Sequence, residues 1–118
     1  MPRILSISRN PTLLATRNDA LALAGYSVAV PREPSEAVLL ASQQPFDAVV
    51  IGHSVEHETR EGLIRALRNL RPHTPIVFVY RDPERVEEPL ADVSVDVTAG
   101  PTPLVRALDN RLRNAESR

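Results

Sequence analysis

The chain contains no cysteine, which excludes disulfides, thiolate zinc sites and a cysteine nucleophile. It is also compatible with a reducing cytoplasm, the expected location. Lysine is missing as well: all 14 basic residues are arginine. A coding bias toward Arg accounts for that without any function, but it removes every mechanism that needs a lysine amine. No apolar run approaches the ~20 residues of a membrane span, so no membrane is expected. Met1-Pro2-Arg3-Ile4-Leu5-Ser6 enters a strand pattern at once, so no signal peptide is expected ahead of the fold. The net charge of −1 gives no electrostatic reason to expect nucleic acid.

At 118 residues the expectation is a single domain over 1–118. A chain of this size buries roughly 65% of its unfolded surface and folds without staples. Its organising stretch is Phe46-Asp47-Ala48-Val49-Val50-Ile51-Gly52-His53. A short apolar run with β-branched residues reads as a strand buried on both faces, and hence as part of a parallel sheet covered by helices. Similar runs occur at Arg3 to Ser8, Tyr26 to Val30 and Ile76 to Tyr80, with a weaker edge strand at Val93 to Thr98.

Helical patterns separate these runs. Asn10-Pro11 is an N-cap followed by proline at the first helical position. The helix it starts turns Leu13, Leu14, Leu21 and Ala24 inward, and Gly25 follows where a left-handed cap is expected. A second helix runs from about Pro34 to Gln43, with Ala37, Leu40 and Ala41 inward and Val38 and Leu39 beside them. After a polar loop from His53 to Arg60, a third helix from about Glu61 to Leu70 carries Leu63, Leu67 and Leu70 opposite Arg60, Arg65 and Arg68. Arg81 to Asp92, with Pro83 and Pro89, holds at most two helical turns. Thr102-Pro103 starts a last helix with Leu104, Leu108 and Leu112 inward, and Asn114 to Arg118 is expected to fray. The order βαβαβαβαβα predicts an α/β fold: a five-stranded parallel sheet in flavodoxin-like order 2-1-3-4-5 with helices on both faces. Its ligand site is expected where the winding reverses, at the carboxyl ends of the first and third strands.

The chain resembles a response-regulator receiver (CheY-like) domain over nearly its whole length. The resemblance rests on Ile4-Leu5-Ser6-Ile7 followed by a polar triplet and Pro11, and on Ala24-Gly25-Tyr26. It rests also on the Phe46-Asp47-Ala48-Val49-Val50-Ile51 approach to the family's phosphorylated Asp, on Gly62-Leu63 and on Thr74-Pro75-Ile76-Val77. What the resemblance implies for chemistry is loss. The acidic pair that holds Mg²⁺ in receivers falls on Ser8 and Arg9, the phosphoacceptor on Gly52, and the switch Ser or Thr on Tyr80. The Lys falls on Gly100 and the aromatic partner on Val97. Phosphoryl transfer to a carboxylate needs an oxygen nucleophile and a cation to offset charge on the phosphoryl oxygens. Gly52 offers no oxygen, and no Asp or Glu precedes Asp19. A degenerate pseudo-receiver without catalytic residues, metal or cofactor is therefore expected.

The strand ends are expected to gather Arg9, Asn10, His53, Ser54, Arg81 and Asp82 at one crevice. Arg9 and Arg81 suit an anion or a partner's carboxylate; alternatively Arg9 pairs with Asp82 and plugs the vacated site. A Ser8–His53–Asp82 triad lacks any nucleophile elbow or oxyanion hole. His53, His57 and Glu58 in a loop are a poor zinc scaffold. No glycine-rich phosphate loop follows the first strand. The function expected is a stand-alone, phosphorylation-independent interaction module in bacterial two-component or phosphorelay signalling, and not an enzyme. Its partner is expected to be a histidine kinase or another signalling protein, or a second copy, docking on the face that receivers build from their fourth helix, fifth strand and fifth helix. Here that face carries Arg85, Glu87, Asp92, Asp96, Arg106, Asp109 and Arg113. The alternative is a small-anion or metabolite sensor acting through Arg9 and Arg81.

Overall fold

The computed structural model describes residues 2–81 and 87–116, with side chains in the last helix described as far as residue 112. Strands β1 (Arg3–Ile7), β2 (Ser27–Ala29), β3 (Ala48–Gly52), β4 (Ile76–Tyr80) and β5 (Val93–Asp96) are joined by helices α1 (Pro11–Leu23), α2 (Ala37–Gln43) and α3 (His57–Leu70) up to β4, and α4 (Thr102–Glu116) follows β5. A short 3₁₀ turn, Pro34–Glu36, leads into α2. All strand pairs are parallel, in the order β2-β1-β3-β4-β5. The architecture expected from the hydrophobic pattern is the one observed.

Parity along the strands divides the core into two layers. Leu5, Ile7, Val49, Ile51, Ile76 and Phe78 pack against Ala37 and Ala41 of α2 and Leu63, Ile64 and Leu67 of α3. On the opposite face Ile4, Ala48, Val50, Val77 and Val79 pack against Leu21 of α1 and Leu104 and Leu108 of α4. Every residue of β3 is buried, as a strand covered from both sides must be. The register pairs Ser6 with Val50 and Ile7 with Ile51. Ser6 and Gly52 therefore share the face that α1 covers.

Several local expectations are corrected. α3 begins at His57, one turn before Glu61, because Val55 is drawn fully into the core and Arg60 N–H already donates to the Glu56 carbonyl at 2.8 Å. Arg60 is not on the solvent face: it is 2% exposed. Leu70, by contrast, is partly exposed at the helix end. α4 continues through Glu116, so Asn114 to Glu116 are helical rather than frayed, in keeping with the helix-forming Arg, Leu and Ala of its last turns. Between β4 and β5 the described residues 87–92 contain no helix; residues 82–86, and with them Asp82 and Arg85, lie outside the described residues.

Candidate functional site

The carboxyl ends of β1, β3 and β4 surround a cavity of about 280 Å³ on the α1 side of the sheet. Ser8, Gly52, Ser54, Val79, Arg81 and Val97 border it from the sheet end, and Thr12, Thr16 and Arg17 border it from α1. Gly100, Pro101 and Leu104 close it from the last crossover.

Its central feature is Arg17, one of the two buried residues of α1 along with Leu21. The helix is capped as expected, Asn10 Oδ1 accepting from Leu13 N–H at 3.0 Å. Its inward stripe then reads Leu14, Arg17, Leu21, at the three- and four-residue spacings that share a helix face. Arg17 is 7% exposed. Its Nη1 donates to Ser6 Oγ at 3.2 Å and to the Ile7 carbonyl at 3.1 Å. Burial lowers the guanidinium pKa from its ordinary value to about 10, because desolvation disfavours the charged form. Among the described residues no carboxylate pairs with it.

Arg17 and Gly52 are fitted to each other. A Cβ added at Gly52 would lie 2.7 Å from Arg17 Nη2, closer than a carbon approaches a nitrogen without displacement. The end of β3 has no side chain, and a guanidinium from α1 occupies the space beside it. Arg17 reaches the crevice from α1, whereas Arg9 is exposed and is not among the described residues that line the cavity; its backbone N–H donates to Ser54 Oγ at 2.9 Å. An Arg9–Asp82 pairing involves a residue outside the described ones.

The remaining candidates divide. Asn10 acts as the helix cap and stands outside the cavity. His53 and Arg81 line it. Tyr80 does not: its ring packs on the opposite layer, stacked on Phe78 with ring centroids 6.2 Å apart, and its neighbours Val79 and Arg81 face the cavity in its place. Gly100 has φ +126°, a conformation that side chains rarely adopt, so the position resists any larger residue. Ser8 Oγ lies 2.9 Å from Ser54 Oγ and accepts from Asn10 N–H at 3.0 Å. Its hydrogen bonds do not run to His53, and Asp82 is outside the described residues, so the drawn triad is not assembled among them. His57 starts α3 and pairs with Glu61 at 3.2 Å. Among the described residues no three His, Asp or Glu side chains converge as metal ligands, and no helix is long and apolar enough to cross a membrane.

Solved structures resemble this arrangement over almost the whole chain. The response-regulator receiver domain from Clostridium thermocellum superposes with a TM-score of 0.83 at 15% identity, covering 99% of this chain and 98% of its own. The fold is that of a receiver domain. Chemotaxis protein CheY4 of Vibrio cholerae gives a TM-score of 0.79 at 20% identity, with 95% and 99% covered. The receiver domain of sensor histidine kinase PA1611 from Pseudomonas aeruginosa gives 0.75 at 22%, with 95% and 98% covered, and carries a magnesium ion in its active-site cleft. No protein-family model matches the sequence, and no curated protein is significantly similar to it. The receiver fold is thus shared at 15–22% sequence identity.

The sequence contained a signal for Arg17 that hydrophobic periodicity alone passes over. Leu14 and Leu21 are seven residues apart, and the stripe position between them is polar. Ser6 is a polar residue at an inward position of β1, fully buried. Two polar interruptions on surfaces that face each other point to a pair.

Proposed function

We propose that this chain is a receiver-like signalling module of the two-component type that works without phosphorylation, through contact with a protein partner. The observation that carries this reading is the Gly52–Arg17 fit. The end of the central strand has no carboxylate oxygen to attack a phosphoryl donor, and the neighbouring space is occupied by a buried cation. Ser8 and Arg9, which follow β1, offer no carboxylate to a hard divalent cation, and no lysine exists to complete the charge balance. A fold with its covalent switch removed retains its outer faces, and these suit recognition of a histidine kinase, another signalling protein or a second copy.

The test is an amide NMR titration with Mg²⁺ plus beryllofluoride, a mimic of the phosphorylated carboxylate. No Mg²⁺-dependent shift at Gly52, Val79 or Gly100 is expected up to millimolar concentrations. Saturable, Mg²⁺-dependent shifts at those positions would overturn the reading.

A further inference from the structure

A buried guanidinium is costly unless a counter-charge or a full set of acceptors compensates it. The chain contains an instructive contrast. Arg60 is as deeply buried as Arg17, and its Nε meets Glu88 Oε1 at 2.7 Å while Nη1 donates to the Val55 carbonyl at 2.8 Å. Arg17 has two neutral acceptors, both on Nη1, and no carboxylate partner among the described residues. Where Arg60 has Glu88, Arg17 has a cavity of about 280 Å³. That volume is at the small end of ligand pockets.

The cavity also offers hydroxyl donors. Ser8 and Ser54 share one hydrogen bond between their oxygens, and each oxygen accepts one backbone N–H. One hydroxyl proton is used between them. The second has only a 3.4 Å contact to the Asn10 carbonyl if it resides on Ser8, so it is available to a bound acceptor. Thr12 borders the same space, and Arg81 stands at its exposed edge with a second positive charge. Two guanidinium groups and hydroxyl donors around one small space match the acceptor-only surface of a tetrahedral oxyanion.

We infer that the cavity at the ends of β1, β3 and β4 is a metal-independent, non-covalent binding site for a phosphate-type oxyanion, centred on Arg17. The ligand is free phosphate or a small phosphomonoester, whose organic group would lie against Val79, Val97 and Leu104. The guanidinium supplies the charge that a metal would otherwise provide. The lowered Arg17 pKa agrees with a cation kept desolvated, and at neutral pH the group remains charged. The site deepens the proposed function, because occupancy by a free ligand would take the place of covalent modification.

The experiment titrates the full chain with inorganic phosphate and with phenyl phosphate, without Mg²⁺ and against chloride at matched ionic strength, reading amide shifts at Ser8, Gly52, Ser54 and Gly100. Saturable shifts with at least one probe are expected. Arg17→Met and, independently, Thr16→Glu, which brings a carboxylate to the cavity wall, are each expected to weaken binding at least tenfold. Arg9→Ala, outside the cavity, is expected to leave it unchanged. Silence toward both probes, or undiminished binding by the folded Arg17→Met or Thr16→Glu variant, would overturn the inference. The two readings fail separately: Mg²⁺-dependent beryllofluoride binding would refute the proposed function, whereas loss of the phosphate response alone would refute only this site.

Discussion

A missing side chain at the end of a buried strand leaves a hole, and in this protein a guanidinium fills it. Gly52→Asp tests what the hole is for. The Arg17 tip is the far end of a flexible side chain and gives way to a new Cβ, after which the carboxylate lies beside the buried cation. An ion pair forms where a lone charge stood, so the variant is expected to be more stable by about 1–2 kcal/mol, measured by urea unfolding. It is also expected to lose the phosphate response and still to reject beryllofluoride with Mg²⁺, since Ser8 and Arg9 cannot hold the metal. Arg17→Met removes the desolvated charge instead. The lowered pKa corresponds to about 3 kcal/mol of cost, partly offset by the two lost hydrogen bonds, so a net gain of about 1 kcal/mol is expected at pH 7. The pH dependence has a definite sign. Between about pH 10 and the ordinary arginine pKa the unfolded chain keeps the Arg17 proton and the folded chain releases it, so this group's cost to stability is full below about 10 and fades above it. The advantage of Arg17→Met over the parent should therefore shrink as pH rises through that window. A constant difference would show that Arg17 is not desolvated.

In α1 and α3 alike, an arginine occupies a core-facing stripe position. Arg60 precedes Leu63, Ile64 and Leu67 on one face of α3 just as Arg17 stands between Leu14 and Leu21 on α1. Both escaped a reading based on apolar spacing, because periodicity counts hydrophobic residues and treats a charge as solvent-facing. Arg60 adds a second contact, its guanidinium carbon 4.7 Å from the centroid of the Phe78 ring. Glu88 returns the interaction from the segment that leads into β5. Its second oxygen accepts from Leu90 N–H at 3.3 Å, so the pair ties the approach to β5 onto α3. Arg60→Ala leaves Glu88 buried without a counter-charge and is expected to cost about 3–5 kcal/mol. Arg60→Met combined with Glu88→Leu is expected to recover most of that loss. A double variant as unstable as the single one would mean that packing around Phe78, and not the charge pair, holds the segment.

For the domain, strand order and layer assignment were legible because β-branched runs of four or five residues alternate with amphipathic helices, a pattern that suits few topologies. The cavity was less legible, since it depends on which residue of one helix meets which strand end. The interaction face shows the same limit. Its charges look equivalent in the sequence, but Asp92 accepts from Ile76 N–H at 2.7 Å and pairs with Arg68 at 3.0 Å, Asp96 accepts from Thr98 N–H at 2.8 Å, and Asp109 accepts from the Tyr26 hydroxyl. These carboxylates hold the fold together, whereas Glu87 and Arg106 are exposed. A binding test on this face must separate the two kinds. Arg106→Glu is expected to leave stability within about 0.5 kcal/mol and, if the face recognises a partner, to weaken pull-down of a histidine kinase. Asp109→Ala is expected to cost about 1–2 kcal/mol, because it removes the hydrogen bond that joins the Tyr26 hydroxyl, just before β2, to α4. Equal loss of partner binding in both variants, with stability lost only in the second, would assign recognition to the surface charge pattern. Loss confined to Asp109→Ala would show that the face contributes to the fold and move the search for a docking surface to the α2–α3 side, where Leu39 is 58% exposed.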